Sequence, residues 1–271
     1  MRWDPGQYLR FGDARARPFT DLMARVPAHA PGQGPDLVVD LGCGPGNLTR
    51  SLSERWPGAD VLGVDSSAEM VERAMADGQG PRLRFEVADL REWEADRPVD
   101  VLTSNATLQW VPDHLHLLPR LVSAVRPGGW LALQVPGNFG GPTHTVLADL
   151  LQEPRWRMRL SGVLVESPSS EEPETYLSAL VALGCSADVW ETTYLQVLEG
   201  PDAIVSWMTG TGLRPVLGVL DDTEQEEFLA AYRERVSPAY PQQDFGTVLP
   251  YRRIFAVAQR QTARSTQFDT Q

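Results

Sequence analysis

The segment VVDLGCGPGNLTRSL, residues 38–52, sets three glycines at 42, 44 and 46 between an apolar run and a helical pattern. A strand that turns this sharply into a helix aims the helix's first N–H groups at a ligand beyond the strand's carboxyl end. The alternation then repeats. Strand LVVDL (37–41) leads to a helix from Gly46 to Arg55, stopped by WPG. Strand VLGVD (61–65) precedes a helix reaching Ala76, with Ser66 and Glu69 in capping-box spacing. Strands LRFEV (83–87), VDVLTS (99–104) and WLALQV (130–135) follow, with a helix over 113–125 and the turn RPGG before the last strand. Strands spaced by helices predict an α/β fold built on a parallel sheet with crossover helices.

The rhythm breaks after Pro136. A loop, a helix and the polar stretch ESPSSEEPE occupy 137–170, then a helix TYLSALVALGC and an alternating strand DVWETTYLQVL follow. Residues 201–250 read as helices with turns, Thr223 and Glu226 forming a second capping-box candidate, and RRIFAVAQ (252–259) reads as a final strand. Ahead of the alternation, a helix over Pro18–Val26 leads into the linker PAHAPGQGPD. The expected organisation is a lid segment at 1–36, a ligand-binding core at 37–136, and substrate-binding insertions at 137–170 and 201–250. Residues 171–200 and 251–260 complete the sheet, and 261–271 form a disordered tail.

The glycine turn is not the dinucleotide fingerprint, because Asn47 fills the place of that motif's third glycine. Asp40, two residues before Gly42, would repel a pyrophosphate and attract an ammonium group. Asp65 ends the second strand where a carboxylate accepts from a ribose diol. Asp89, in VADL after the third strand, is placed to accept from an adenine amino group. Acids for an amine, a ribose and an adenine, with no phosphate partner, match S-adenosylmethionine. Each acid also has a plainer reading: Asp40 orienting the turn, Asp65 as a common strand-end acid, Asp89 as a cap of the next turn. Cys43, inside the turn, reads as a small buried residue, not a reactive thiol.

Net charge constrains the partner. With 36 acids against 24 bases the chain carries −12, which argues against nucleic acid and anionic membranes. An anionic substrate then requires a local cluster of arginines. The N-terminal stretch MRWDPGQYLRFGDARARP has no apolar h-region and no run is long enough to span a bilayer, so the expectation is a cytoplasmic protein. Cys43 and Cys185 make no CxxC pair, and His114 and His116, two apart, share no helix face, so no metal site is expected.

The motifs VDLGCGPG, GVDSS, VADL and RPGGWLALQVP resemble those of class I methyltransferases. More specifically, WDPGQYLRFGDARARP, SNATLQWVPDH, GPTH, DVWETTY, TGLRP and YRRIF resemble the trans-aconitate 2-methyltransferases, a likeness running from about residue 3 to 259. The resemblance implies a Rossmann-like seven-stranded sheet, mostly parallel, with helices on both faces, the last strand antiparallel, and helical lid insertions. It implies S-adenosyl-L-methionine held by Asp40, Gly42, Gly44, Gly46, Asp65, Ser66, Asp89, Leu90 and Asn105. It also implies methylation of trans-aconitate to a monomethyl ester, with another small carboxylic acid or specialised metabolite as the alternative substrate.

A carboxylate nucleophile is ionised at pH 7 and needs no general base, so the site should hold carboxylate clamps; arginine meets a carboxylate bidentately. The candidates are Arg15, Arg214 and Arg253, with Arg17 and Arg252 adjacent, each of which could instead make a surface ion pair. Tyr8, Trp110 and Tyr194 are candidate cleft walls, with plain packing as the competing reading. His144, in GPTH, is a candidate substrate contact, and the base if the acceptor were a hydroxyl or carbon. Trp3, Tyr8, Phe11, Arg15 and Arg17 would form a lid over both ligands. A cofactor-binding sensor without turnover and a nicotinamide oxidoreductase are the remaining alternatives, the latter disfavoured by Asp40 and Asn47. A monomer and a dimer are equally compatible with the sequence.

Overall fold

A computed structural model describes residues 12–27, 34–161 and 169–262, with the side chains of 12–15 outside the description. The chain divides into two units. The sheet unit holds Arg17–Val135, Glu171–Glu191 and Ile254–Gln271; the helical unit holds Met1–Ala16, Pro136–Ser170 and Thr192–Arg253.

In the sheet unit, β1 (Leu37–Leu41), β2 (Asp60–Asp65), β3 (Leu83–Val87), β4 (Val99–Asn105) and β5 (Val125–Pro136) pair in parallel. With β6 (Cys185–Leu198) and β8 (Gly246–Arg260) the order is β3-β2-β1-β4-β5-β8-β6, and the two-residue β7 (Gln242–Gln243) makes an antiparallel hairpin with β8. The direction of β8 follows from its contacts. The Gln259 amide donates to Gly128 O, and Gly137 N–H donates to Arg252 O, so residue numbers rise along β5 as they fall along β8. The last long strand is therefore antiparallel, as the sequence resemblance implies.

β1 is buried at every position, as a strand covered on both faces must be. One face carries Val39, Leu41, Leu102, Leu131, Leu133 and Ile254, which join Leu118, Leu121, Tyr176 and Leu180 in the main core. The opposite face carries Asp40, Gly63 and Thr103, which lie side by side in the register. On that face are α2 (Asn47–Arg55), through Thr49, and α3 (Ala68–Ala76), whose Val71 and Ala74 pack with Phe85 and Cys43. Arg25, just past α1 (Gly12–Ala24), lies 4.6 Å over the Trp190 ring, which stacks on Phe255.

Several local expectations shift. α1 runs through Pro18 instead of starting there. The cap of α3 is Ser67, not Ser66: Asp65 takes the Ser67 N–H, and the Ser67 hydroxyl accepts from Met70 N–H. The helix expected over 113–125 is a 3-10 turn at His114–Leu117 followed by α4 (Leu118–Ala124), because Pro119 fits only a helix's first turn. RPGG lies inside β5, where a Cβ at Gly129 would sit 2.8 Å from Asp100 O.

The helical unit contains α5 (Pro142–Gln152), α6 (Pro154–Arg159), α8 (Ala203–Thr209), α9 (Arg214–Leu217) and α10 (Asp222–Val236); α7 (Pro173–Ala182) belongs to the sheet unit. Aromatic pairs pack the helical unit: Trp156 against Phe228 at 5.1 Å and Trp207 against Tyr251 at 5.5 Å. Surface ion pairs join its helices, among them Arg159–Glu224 and Arg235–Glu153. The capping box of α10 uses Asp221 and Glu224, not Thr223 and Glu226. Among the described residues no helix is long and apolar enough to cross a membrane.

Candidate functional site

The site is built on the carboxyl ends of β1, β2 and β4. Gly42, Gly44 and Gly46 all have positive φ, at +79°, +54° and +75°, a region that L side chains enter at a cost. Their environments differ. A Cβ on Gly42 would lie 2.0 Å from Thr107 Oγ1, and one on Gly46 would lie 2.7 Å from the Phe85 ring. A Cβ on Gly44 would meet nothing within 4 Å. Gly42 and Gly46 are thus fixed by protein packing, whereas Gly44 faces open space that a ligand backbone could enter.

Two acids flank the turn, Asp40 and Asp65, and a third, Asp89, follows β3. Asp65, half-buried, accepts from Gly44 N–H and Ser67 N–H, both at 2.9 Å, which ties the glycine turn to the start of α3. Each oxygen keeps a lone pair for a further donor such as a ribose hydroxyl. Asp40 is 3% exposed and accepts from the Thr49 hydroxyl at 2.6 Å. Burial raises its pKa to about 6, the Thr49 bond opposing this and the charge of Asp65 adding to it. Asp40 therefore orients α2 and also keeps a negative charge near the turn at pH 7. Asp89 makes the plainer contacts: it accepts from Arg91 N–H at 2.8 Å and is bridged by the Arg91 guanidinium, which holds its pKa low.

The remaining sheet-unit candidates fall around these. Ser66 is exposed, and Leu90 packs partly against the core while its carbonyl accepts from Arg120. Asn105 ends β4, and its Oδ1 is buried with no hydrogen-bond partner among the described residues. Ala106 follows at φ +54°, and Thr107 folds back to donate to Gly42 O at 3.4 Å. Trp110 is 52% exposed. Burial pushes the Cys43 thiol up, so it stays protonated.

Other candidates lie in the helical unit. Arg253 is 3% exposed; its guanidinium lies 3.9 Å over the Tyr251 ring and donates to the Tyr251 hydroxyl. Arg214 opens α9 and is half-buried, and Tyr194 is buried on β6. Arg252 donates to Gly137 O. His144, on α5, is half-buried, with Nδ1 3.1 Å from the Thr143 hydroxyl and its ring edge-on to Phe139. Burial lowers its pKa, against a hydrogen bond to the Asn138 backbone, so it is neutral at pH 7. Trp3, Tyr8 and Phe11, and the side chain of Arg15, lie outside the described residues; Arg17 is in α1.

Three residues escaped the sequence reading. Thr49 holds Asp40, Thr107 packs against Gly42, and Gln134 is a fully buried amide on β5. Gln134 had a signal, being the one polar residue in WLALQVP. Among the described residues no group of three or more His, Cys, Asp or Glu could hold a metal ion.

The residues present fit S-adenosylmethionine: an open cradle at Gly44, lone pairs on Asp65, a buried carboxylate at Asp40 and an unsatisfied amide oxygen at Asn105. The comparisons agree. Residues 38–129 match a family model described as a methyltransferase domain. Among solved structures, an S-adenosylmethionine dependent methyltransferase from Mesorhizobium loti aligns at TM-score 0.51 with 20% identity, over 89% of this chain and 97% of that one. A phosphoethanolamine N-methyltransferase of Haemonchus contortus aligns at TM-score 0.53 with 17% identity, over 90% of this chain and 53% of that one. Both likenesses concern the fold. Curated relatives are far nearer. The trans-aconitate 2-methyltransferase of Streptomyces avermitilis is 51% identical over 96% of this chain and 97% of its own length. That of Rhodococcus jostii is 46% identical over 96% of this chain and 100% of its own. With such identity along nearly its whole length, the chain belongs to the trans-aconitate 2-methyltransferase family.

Proposed function

We propose that the protein is an S-adenosylmethionine-dependent carboxylate O-methyltransferase that forms a monomethyl ester of trans-aconitate. The observation that carries the substrate class is Arg253, a guanidinium withdrawn to 3% exposure in a chain of net charge −12. A guanidinium meets a carboxylate bidentately, and withdrawal from water strengthens such charge-assisted hydrogen bonds.

When bound, S-adenosylmethionine supplies an electrophilic methyl group: an acceptor oxygen bonds to that carbon as the carbon–sulfur bond breaks, the electron pair staying on sulfur. The residues of this chain bind and orient. In this reading Gly42, Gly44 and Gly46 admit the cofactor's amino-acid end, and Asp40 attracts its ammonium. Asp65, with Ser66 beside it, accepts from ribose hydroxyls. Asp89 and Leu90 flank the adenine, which requires Asp89 to share its carboxylate with Arg91. Asn105 holds the boundary between cofactor and acceptor. Arg214 and Arg253, with Arg15, bind acceptor carboxylates, and Trp110, Tyr194 and Tyr8 exclude water. His144 contacts the acceptor without taking a proton, since an acceptor carboxylate is already ionised. Segment 1–36 acts as the lid, and 137–170 and 201–250 as the substrate-binding insertions. The buried free thiols Cys43 and Cys185 suit the reducing cytoplasm, where we place the reaction.

The test is mass spectrometry of products after incubation with S-adenosylmethionine and trans-aconitate, cis-aconitate, citrate, isocitrate and simple phenols. The expected result is a monomethyl ester from trans-aconitate well above the others. Tight S-adenosylhomocysteine binding with no ester from any acid would overturn the substrate assignment.

A further inference from the structure

The sheet face that carries Asp40 also carries polar groups that the folded chain leaves unsatisfied. Thr103 Oγ1, Asn105 Oδ1 and both amide atoms of Gln134 are buried without a hydrogen-bond partner among the described residues. Thr103 is 0% and Gln134 1% exposed. The register sets Asp40 beside Thr103 and Asn105 beside Gln134, a polar row across β1, β4 and β5 at their carboxyl ends. Buried amides are almost always hydrogen-bonded, and a leucine here would fill a similar volume without that penalty. A side chain that keeps both its donor and its acceptor unused, at the ligand end of a parallel sheet, is suited to a ligand.

Its position separates it from the cofactor's cradle. β4 lies between β1 and β5, so Gln134 stands two strands, roughly 10 Å, from the strand that ends in the glycine turn. Asn105 occupies the nearer step.

We propose that Gln134, beside Asn105, holds the reacting carboxylate of the acceptor, its amide N–H donating to the oxygen that does not attack. The inference rests on the carboxylate methyltransferase reading above. An arginine would serve this carboxylate poorly, because a bidentate fork engages both oxygens and draws off the charge that makes them nucleophilic. A neutral amide gives one directed hydrogen bond and leaves the second oxygen's lone pair exposed. The amide oxygen, which repels a carboxylate, selects one orientation.

The experiment compares wild type with Gln134→Leu and Gln134→Glu. It measures ester formation from trans-aconitate, S-adenosylhomocysteine affinity by calorimetry, and Tm. Gln134→Leu is expected to keep or raise Tm, to hold S-adenosylhomocysteine affinity within twofold, and to lower kcat at least 30-fold. Gln134→Glu sets a carboxylate against the acceptor, so the ratio of its activity to that of wild type should fall from pH 5.5 to pH 8. Should Gln134→Leu fail to fold, that pH profile carries the test. A Gln134→Leu enzyme with kcat within threefold of wild type overturns the proposal. So does a loss matched by weakened S-adenosylhomocysteine binding, which would place the amide at the cofactor's amino-acid end. Wild type that makes no ester overturns the substrate reading and this inference together; wild-type turnover with an unaffected variant overturns the inference alone.

Discussion

The two units bury charge of opposite sign. Among the described residues, the buried ionised side chains of the sheet unit are acids, Asp40 and Asp100, and the buried charge of the helical unit is Arg253. Asp100 is answered locally, by Arg126 and by the N–H groups of Asp36 and Leu37, which outweigh burial and hold its pKa low. Asp40 is only partly answered, by one hydroxyl, and its pKa rises. On the proposed reading, in which Asp40 faces the cofactor, a structural carboxylate and a ligand-directed one differ in how completely the chain compensates them. On the same reading, a sulfonium-bearing amino acid and a polycarboxylate need opposite fields, and the two buried charges Asp40 and Arg253 supply one each.

The strongest way to break this contrast is to remove the buried cation. Arg253→Met should lower kcat/KM for trans-aconitate by roughly 100-fold or more, in line with the ~2–5 kcal/mol lost when one partner of a buried charge pair is removed. S-adenosylhomocysteine affinity should not change, and Arg253→Lys should not restore activity, since it lacks the bidentate fork. Steady-state kinetics beside calorimetry would read this; equal loss of affinity for both ligands would dissolve the division of labour.

Asp40 sharpens the other half. Its folded pKa of about 6 lies above the ordinary 3.8, so between these pH values the folded protein holds a proton that the unfolded chain has released. Its contribution to stability is full below the lower value and lost as pH rises through the upper one, a change of ~3 kcal/mol. Unfolding midpoints of the ligand-free protein from pH 4 to 8 should therefore decline less in Asp40→Asn than in wild type. Parallel curves would mean the carboxylate is not held in the folded state as described.

The smallest effect concerns His144. If the nucleophile is a carboxylate, His144→Gln should cost less than about tenfold in kcat and leave the pH profile between 6 and 8 unchanged. A general base is worth roughly 10²–10⁴-fold. A steep loss at neutral pH would return the enzyme to the alternative of a hydroxyl or carbon acceptor.

The units also differ in how readily sequence discloses them. β1 was legible because a strand buried on both faces reads as a mainly apolar run, β3 because LRFEV alternates as an edge strand does, and Gly42 and Gly46 mark where backbone and side chain collide. Cap positions were less so. Ser66 and Ser67 are chemically identical, and only the Asp65 side chain taking the Ser67 N–H decides between them. Thr223 lost to Asp221 in the same way. In the helical unit, aromatic pairs and surface ion pairs join segments far apart in the chain, such as Arg235 with Glu153, and leave no periodic trace. Gln134 was hidden for a related reason: whether a buried amide is satisfied depends on strands that sequence does not place beside it.

Asp65 has a consequence for the entropy of binding. Its two oxygens hold the N–H of Gly44 and the N–H of Ser67, so one carboxylate immobilises the loop after β1 and the loop after β2 before any ligand arrives. Glycine-rich turns are otherwise the most conformationally free segments of a chain, and freezing one on binding would subtract from affinity. Here the freezing accompanies folding. A ligand held as proposed meets a rigid receptor, and its hydrogen bonds to Asp65 would translate into affinity with little of the ordering penalty that a floppy glycine loop would impose.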